Sequence, residues 1–198
     1  MSYKLTKIPQ RFWGLTLDAY KTPPGSEEVK AVVGDYIANI GSHLSDGTGL
    51  TMAGGPGIGK TMLACVLGMA AADAGYSVRY MPMARYIRNQ LNLVAWGSVG
   101  EMEDDFVTIT KLQLRVRNKV QFLILDDVGK EHHTNTEFAQ DEFDFLVRMR
   151  YDAALPTIIT TNVAVEDWSG LYSEAMQSFA AEAFPVVGID TKDHRGRR

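Results

Sequence analysis

Gly-Gly-Pro-Gly-Ile-Gly-Lys-Thr at residues 54–61 constrains this chain more than any other stretch. It satisfies G-x-x-x-x-G-K-[ST], and its surroundings suit that pattern. Leu50 to Ala53 predict a short buried strand, and Met62 to Ala74 an apolar helix. The glycines admit backbone angles that a side chain forbids, so loop amides can turn inward around a phosphate oxygen at the positive end of the following helix. The predicted cradle is Gly54, Gly55, Pro56, Gly57, Ile58, Gly59, Lys60, Thr61 and Met62. Lys60 is expected to reach the β- and γ-phosphates of a nucleoside triphosphate, and Thr61 to hold Mg²⁺ through its hydroxyl.

A second motif fits the first. Phe122-Leu123-Ile124-Leu125 is a continuous apolar run, which reads as a strand buried on both faces, and it ends in Asp126-Asp127. Ligands of open α/β sheets bind at the carboxyl ends of the strands. Asp126 is therefore expected to orient the metal's water shell, and Asp127 to act as general base on the attacking water. Pro156 to Asn162 reads as a further strand beside the acidic one. Asn162 at its end is placed to touch the γ-phosphate or the attacking water, or else to cap the helix expected over Val165 to Leu171.

Between these motifs the periodicity fills in an alternating α/β pattern. Val29, Val32, Val33, Tyr36, Ile37, Ile40 and Leu44 predict one helix over Glu27 to Leu44, packed on the sheet. Ser77 to Met81 reads as a strand ended by Pro82, and Met83, Ile87, Leu91 and Val94 mark the next helix. Thr136 to Ala153 reads as a helix with Phe138, Phe145, Leu146 and Met149 inward, and with Arg148 and Arg150 near its end, where cations suit the helix dipole. Tyr172 to Ala183 is a last helix, and Phe184 to Gly188 an edge strand. Upstream of the loop, Phe12 and Trp13 read either as a lid over a purine ring or as core.

The segment Ile109 to Val120 fits a strand or a helix, and the helix is favoured. It stacks Lys111, Arg115 and Lys119 four apart, with Arg117 nearby and no acid from 111 to 119. That stripe can follow a phosphate backbone or be a solvated face. His132 and His133 do not predict a metal site, because adjacent histidines diverge on any regular backbone and no Cys or Asp lies at ligand spacing.

Composition bounds the partners. The 198 residues are 45% hydrophobic and 22% charged, enough for one sizeable core. The net charge of −4 argues against nucleic-acid binding by the whole surface, so any such contact must be a local patch. Met1 to Lys7 lacks the apolar core of a signal peptide, and no run is long enough to span a bilayer, so a cytoplasmic protein with no membrane partner is expected. Cys65 is the single cysteine and is expected to be a core residue.

Taken together, Gly54 to Thr61, Leu125-Asp126-Asp127-Val128-Gly129, Arg150-Tyr151 and Pro156 to Asn162 resemble the AAA+ ATPases of the initiator group. The likeness is strongest to helicase loaders of the DnaC type and to IstB-type transposition helpers. The resemblance implies a three-layer P-loop NTPase with a five-stranded parallel sheet, helices on both faces and the phosphate-loop strand central. Its expected organisation is a short extension and first helix over residues 1–48, an ATPase core over 49–191 and a basic tail over 192–198. It further implies Mg·ATP bound between subunits of a homo-oligomer or hetero-assembly, a ring-shaped replicative helicase as partner, and single-stranded DNA touched by the helices before the acidic strand. That last contact would fall on Lys111, Arg115, Arg117 and Lys119. An ATP-binding adaptor for transposition or DNA assembly is the alternative.

The chain departs from the family in one place. Where relatives carry Gly-Glu-Arg and Ser-Arg, it has Ser173-Glu174-Ala175 and Ser178-Phe179. Both arginines are absent, and one of them normally serves as the arginine finger, worth about 10³ to 10⁵ in turnover. Slow or partner-stimulated hydrolysis is expected, with Arg148, Arg195 and Arg197 as substitute cations.

Overall fold

Phe122, Leu123, Ile124 and Leu125 are all fully buried, because the strand they form is covered on both faces. In the computed structural model, which describes residues 3–24, 26–96, 120–130 and 136–189, this strand is β3 (Phe122–Val128). Its side chains alternate between two cores. Phe122 and Ile124 join Val33, Tyr36, Leu63 and Leu67 on one face of the sheet, whereas Leu123 and Leu125 join Phe143, Leu146 and Trp168 on the other. A strand that must satisfy two apolar layers cannot alternate polar with apolar, which is why its sequence reads as an unbroken run.

Five parallel strands form the sheet: β1 (Leu50–Gly54), β2 (Val78–Pro82), β3, β4 (Thr157–Thr161) and β5 (Val186–Ile189), in the order β2-β3-β4-β1-β5. Helices α1 (Glu27–Ala38) and α3 (Lys60–Asp73) supply the first core. The second draws on α4 (Met83–Trp96), α5 (Thr136–Asp152) and α6 (Glu174–Ala183). This is the three-layer P-loop architecture with helices on both faces. The middle strand is β4, however, and not the phosphate-loop strand β1, which lies between β4 and the edge strand β5. Inserting β4 between β1 and β3 sets its carboxyl end between the phosphate loop and the acidic pair.

Two local expectations are corrected. The helix expected over Glu27 to Leu44 is two, α1 and α2 (Ile40–Asp46). Asn39 divides them, its side-chain amide donating to both the carbonyl and the carboxylate of Asp35, the kind of local bond with which Asn competes against helix continuation. The second correction concerns α5. Its inward stripe is Ala139, Phe143, Leu146, Val147 and Arg150, at spacings of three and four, and Phe145 falls off that face and is 62% exposed. Phe138 and Met149 are half-buried at the margin of the stripe.

Arg150 lies in the last turn of α5, as expected, and its side chain turns inward. It is buried, with Nε donating to Thr157 Oγ1 at 2.9 Å, and its terminal nitrogens to the carbonyls of Val120, Pro156 and Gln121 at 3.0, 2.9 and 3.3 Å. The guanidinium thus supplies donors to backbone carbonyls at the amino ends of β3 and β4, of which that of Pro156 also accepts from the Leu123 amide at 3.1 Å. Elsewhere, Val165–Gly170 is a 3-10 helix, and the Ser173 hydroxyl caps α6 by accepting from the Met176 amide at 3.0 Å.

Candidate nucleotide site

The loop after β1 folds back over the sheet with Gly54 at φ +148° and Gly59 at φ +93°. A methyl group at Gly54 would lie 2.4 Å from the Ile189 carbonyl oxygen, and one at Gly59 would lie 2.7 Å from the ring of Tyr20, so neither position accepts a side chain. Tyr20 also donates its hydroxyl to the Ile58 carbonyl at 3.1 Å. The segment before α1 therefore clamps the loop from outside.

Lys60 opens α3 and is only 6% exposed. Its Nζ donates to the carbonyls of Gly54 and Gly55 at 2.8 and 2.7 Å and to Asn162 Oδ1 at 2.7 Å. Burial lowers its pKa to about 8, against the opposing pull of Asp127 and Asp126 and with a further lowering by Lys130. Asn162 stands just past β4, so the strand order is what brings it to the lysine.

The acidic pair occupies a bulge. Leu125 faces Ile159 and Val128 faces Thr161, so three steps along β3 oppose two along β4, and Asp127 adopts φ +59°. In a regular strand Asp126 and Asp127 would point to opposite faces; the extra residue lets both serve the same end of the sheet. Thr160 holds the irregularity together, its Oγ1 accepting from the Asp127 amide at 2.9 Å and donating to Asp126 Oδ1 at 2.6 Å. Asp126, 4% exposed, also accepts from the Thr61 hydroxyl at 2.9 Å and from the Tyr80 hydroxyl at 2.6 Å. Asp127 pairs with Lys130 at 2.8 Å.

Lys60, Thr61, Asp127, Lys130 and Asn162 line a cleft of about 340 Å³ whose rim also includes Arg11, Phe12, Pro56 and Met62. The volume suits a small ligand. The Arg11 guanidinium lies over the Phe12 ring, 4.7 Å from its centroid. Of the two aromatic residues considered as a purine lid, only Phe12 faces this cleft. Trp13 donates its indole N–H to the Ile8 carbonyl at 2.8 Å and packs edge-on against Tyr3, so it belongs to the core. Cys65 is buried one helical turn beyond Thr61, and burial raises its thiol to about 12.

The donor set fits magnesium. Thr61 and Asp126 offer two hard oxygens 2.9 Å apart at the mouth of the phosphate loop, and Mg²⁺ is usually held by one or two protein oxygens together with phosphates. Among the described residues no group of three His, Cys, Asp or Glu could hold a metal without such help. No helix among them is long and apolar enough to cross a membrane.

Residues 38–181 match the profile of the IstB-like ATP binding protein family. The chain belongs to that family. ATP binding follows from this membership. Among curated relatives, the chain is 31% identical over 123 residues to an ATP-binding protein assigned to insertion sequence IS21 of Pseudomonas aeruginosa, covering 62% of this chain and 41% of that protein. It is 29% identical over 177 residues to one assigned to insertion sequence IS5376 of Geobacillus stearothermophilus, covering 89% and 63%. The matched stretches thus span less than two thirds of those relatives.

In fold, the IstB-like chain is similar to the crystal structure of the DnaC helicase loader, with a TM-score of 0.73 at 23% identity over 91% of this chain and 99% of that one. It is likewise similar to the replication initiator DnaA bound to AMPPCP and single-stranded DNA, with a TM-score of 0.71 at 20% identity, covering 94% and 52%. These likenesses establish the P-loop AAA+ fold.

Several residues of this IstB-like site escape a reading of the sequence. Thr160 had a signal: a threonine in a strand buried on both faces must find a partner for its hydroxyl. Tyr80, Tyr20, Arg11 and Lys130 had none, because their roles depend on which strands and turns become neighbours. The stripe Lys111, Arg115, Arg117 and Lys119 lies outside the described residues, as do His132, His133, Arg195 and Arg197. Arg148, on α5, donates from Nε to Asp144 Oδ1 at 2.6 Å, and its guanidinium lies over the ring of Phe179, 4.2 Å from the centroid.

Proposed function

We propose that the chain is a Mg·ATP-dependent accessory protein of DNA replication, a helicase loader that binds ATP and single-stranded DNA and acts on a ring-shaped helicase. The observation that carries the ATP reading is the convergence of Lys60, Thr61, Asp127 and Asn162, from the ends of three strands, on one cleft, with Asp126 bonded to Thr61 beside it. In this reading the loop amides from Gly54 to Met62 hold the phosphates, and Lys60 shifts its protons from the loop carbonyls and Asn162 to the β- and γ-phosphates. Thr61 and Asp126 hold the metal ion, which supplies charge neutralisation on the phosphate oxygens. Asp127, aimed by the bulge, accepts the proton of the attacking water, and Lys130 holds its carboxylate in place. Asn162 distinguishes a whole γ-phosphate from a cleaved one, which makes the end of β4 the point where hydrolysis changes the protein.

Turnover in this reading is slow until a partner or a second subunit completes the site. Ala175 and Phe179 supply no guanidinium, and Arg148, stacked on Phe179 with its side chain 38% exposed, is the substitute cation offered to a neighbour. The stripe from Lys111 to Lys119 is the DNA contact, the chain works in the cytoplasm, and residues 49–191 form the ATPase core between a short extension and a basic tail. Likeness in fold to helicase loaders supports this reading. A second reading, an ATP-binding helper of transposition with little hydrolysis, is favoured by sequence identity to the insertion-sequence proteins.

Steady-state hydrolysis with and without single-stranded DNA, together with capture of the replicative helicase, separates the two. DNA-stimulated turnover that Lys60→Ala or Asp127→Ala abolishes, with helicase captured, supports the loader. Tight ATP binding without turnover or capture supports the helper, and a chain that binds no ATP ends both readings.

A further inference from the structure

β2 pairs with β3 so that Tyr80 stands beside Ile124 and Pro82 beside Asp126. Alternate residues share a face, so the Tyr80 side chain lies on the Asp126 side of the sheet and reaches one step forward to it. Pro82, the direct neighbour, carries no donor, and Asp126 Oδ2 is taken by the Tyr80 hydroxyl at 2.6 Å. The opposite oxygen, Oδ1, is taken by the Thr160 hydroxyl at 2.6 Å from the other flanking strand. Two hydroxyls, one from each neighbouring strand, therefore bracket the carboxylate and fix its plane. The remaining donor, Thr61 at 2.9 Å on Oδ1, comes from the phosphate-loop helix.

All of these donors are neutral. Among the described residues no cationic side chain forms an ion pair with Asp126, although it is buried. A buried carboxylate bonded to hydroxyls alone, with no ion pair, is left to a cation that arrives from outside.

We propose that Tyr80 is a positioning residue for the magnesium of the bound nucleotide, locking the Asp126 carboxylate so that Oδ1 stays turned toward Thr61. This rests on the reading that the site takes Mg·ATP. Without the hydroxyl, the carboxylate is free to rotate about a single remaining strand contact, and the metal must order it on binding.

The test is calorimetric titration of ADP into the full chain, in EDTA and across a magnesium series. Tyr80→Phe keeps the ring and its packing. The expected result is unchanged affinity in EDTA and a magnesium midpoint raised roughly tenfold, as for loss of an outer partner of a metal ligand. An unchanged midpoint overturns the proposal, and so does a folded variant that loses affinity in EDTA, because Tyr80 would then act on the loop rather than on the metal. Where Tyr80→Phe does not melt cooperatively, the midpoint of Tyr80→Met decides in its place. A wild-type chain that binds no ADP, or binds it with no response to magnesium, fails at the Mg·ATP reading itself.

Discussion

Lys60 and Asn162 are 102 residues apart in the chain and joined by a 2.7 Å hydrogen bond, the ammonium donating to the side-chain amide oxygen. The bond exists because β4 is threaded between β1 and β3, so that its end meets the start of α3. An anion entering the cleft competes for the same proton, which couples the phosphate loop to the neighbouring strand.

The first prediction concerns pH. Burial brings Lys60 down to about 8, and a bound phosphate favours its charged form. Below about pH 8 the lysine is already protonated before binding, and affinity for ATP does not depend on its titration. Above it a proton must be taken up on binding, so affinity falls by up to about tenfold per pH unit. Calorimetry from about pH 7 to about pH 9.5 checks this, with Lys60→Arg as the control, since a guanidinium stays charged throughout. A wild-type affinity that is flat across that range contradicts it.

Thr160→Val should separate binding from chemistry. It removes the acceptor of the Asp127 amide and a donor to Asp126 while keeping a β-branched side chain in a buried strand. The expected outcome is a roughly 10- to 100-fold loss of hydrolysis, with Mg-free nucleotide affinity within about twofold of wild type. Single-turnover assays beside equilibrium binding distinguish this from general unfolding.

Arg150→Met should do the reverse. The substitution leaves the buried Val120 carbonyl without this donor, at about 1–3 kcal/mol, and removes one partner each from Thr157, Gln121 and Pro156, the last of which keeps the Leu123 amide. A net loss of roughly 3 kcal/mol lowers Tm by about 6–12 °C for a chain of this size. Calorimetric melting measures it, and nucleotide affinity below the melt should be unchanged, because Arg150 lies at the amino ends of the strands, away from the cleft.

Replacing Lys111, Arg115, Arg117 and Lys119 with alanine tests the DNA contact. If all of them neutralise phosphates of a single strand, the slope of log affinity against log salt should flatten by about 3. Anisotropy of a labelled oligonucleotide over a salt series reads this directly, and an unchanged slope removes the assignment.

The phosphate loop, the apolar acidic strand and the polar-ended strand were legible in the sequence because each is local. Glycines at fixed offsets, an unbroken apolar run and a Lys-Thr pair carry their chemistry wherever the chain folds. The helix register of α5 was less so, since Phe145 and Phe143 are alike in composition and only the stripe through Arg150 decides which one is buried. The break at Asn39 was hidden in the same way, by a periodicity that continues across two short helices.

By itself, then, the sequence determined that a glycine-rich loop ending in Lys-Thr, an acid pair and an amide would stand at strand ends of a parallel sheet. Only the tertiary structure decided that β4 lies between the other two, that a bulge turns Asp127 toward the cleft, and that hydroxyls from β2 and β4 close on Asp126 from either side. Strand order and register arise from contacts between residues distant in the chain. No window of sequence contains the partner of Tyr80 or of Thr160, because each is defined by the strand that becomes its neighbour.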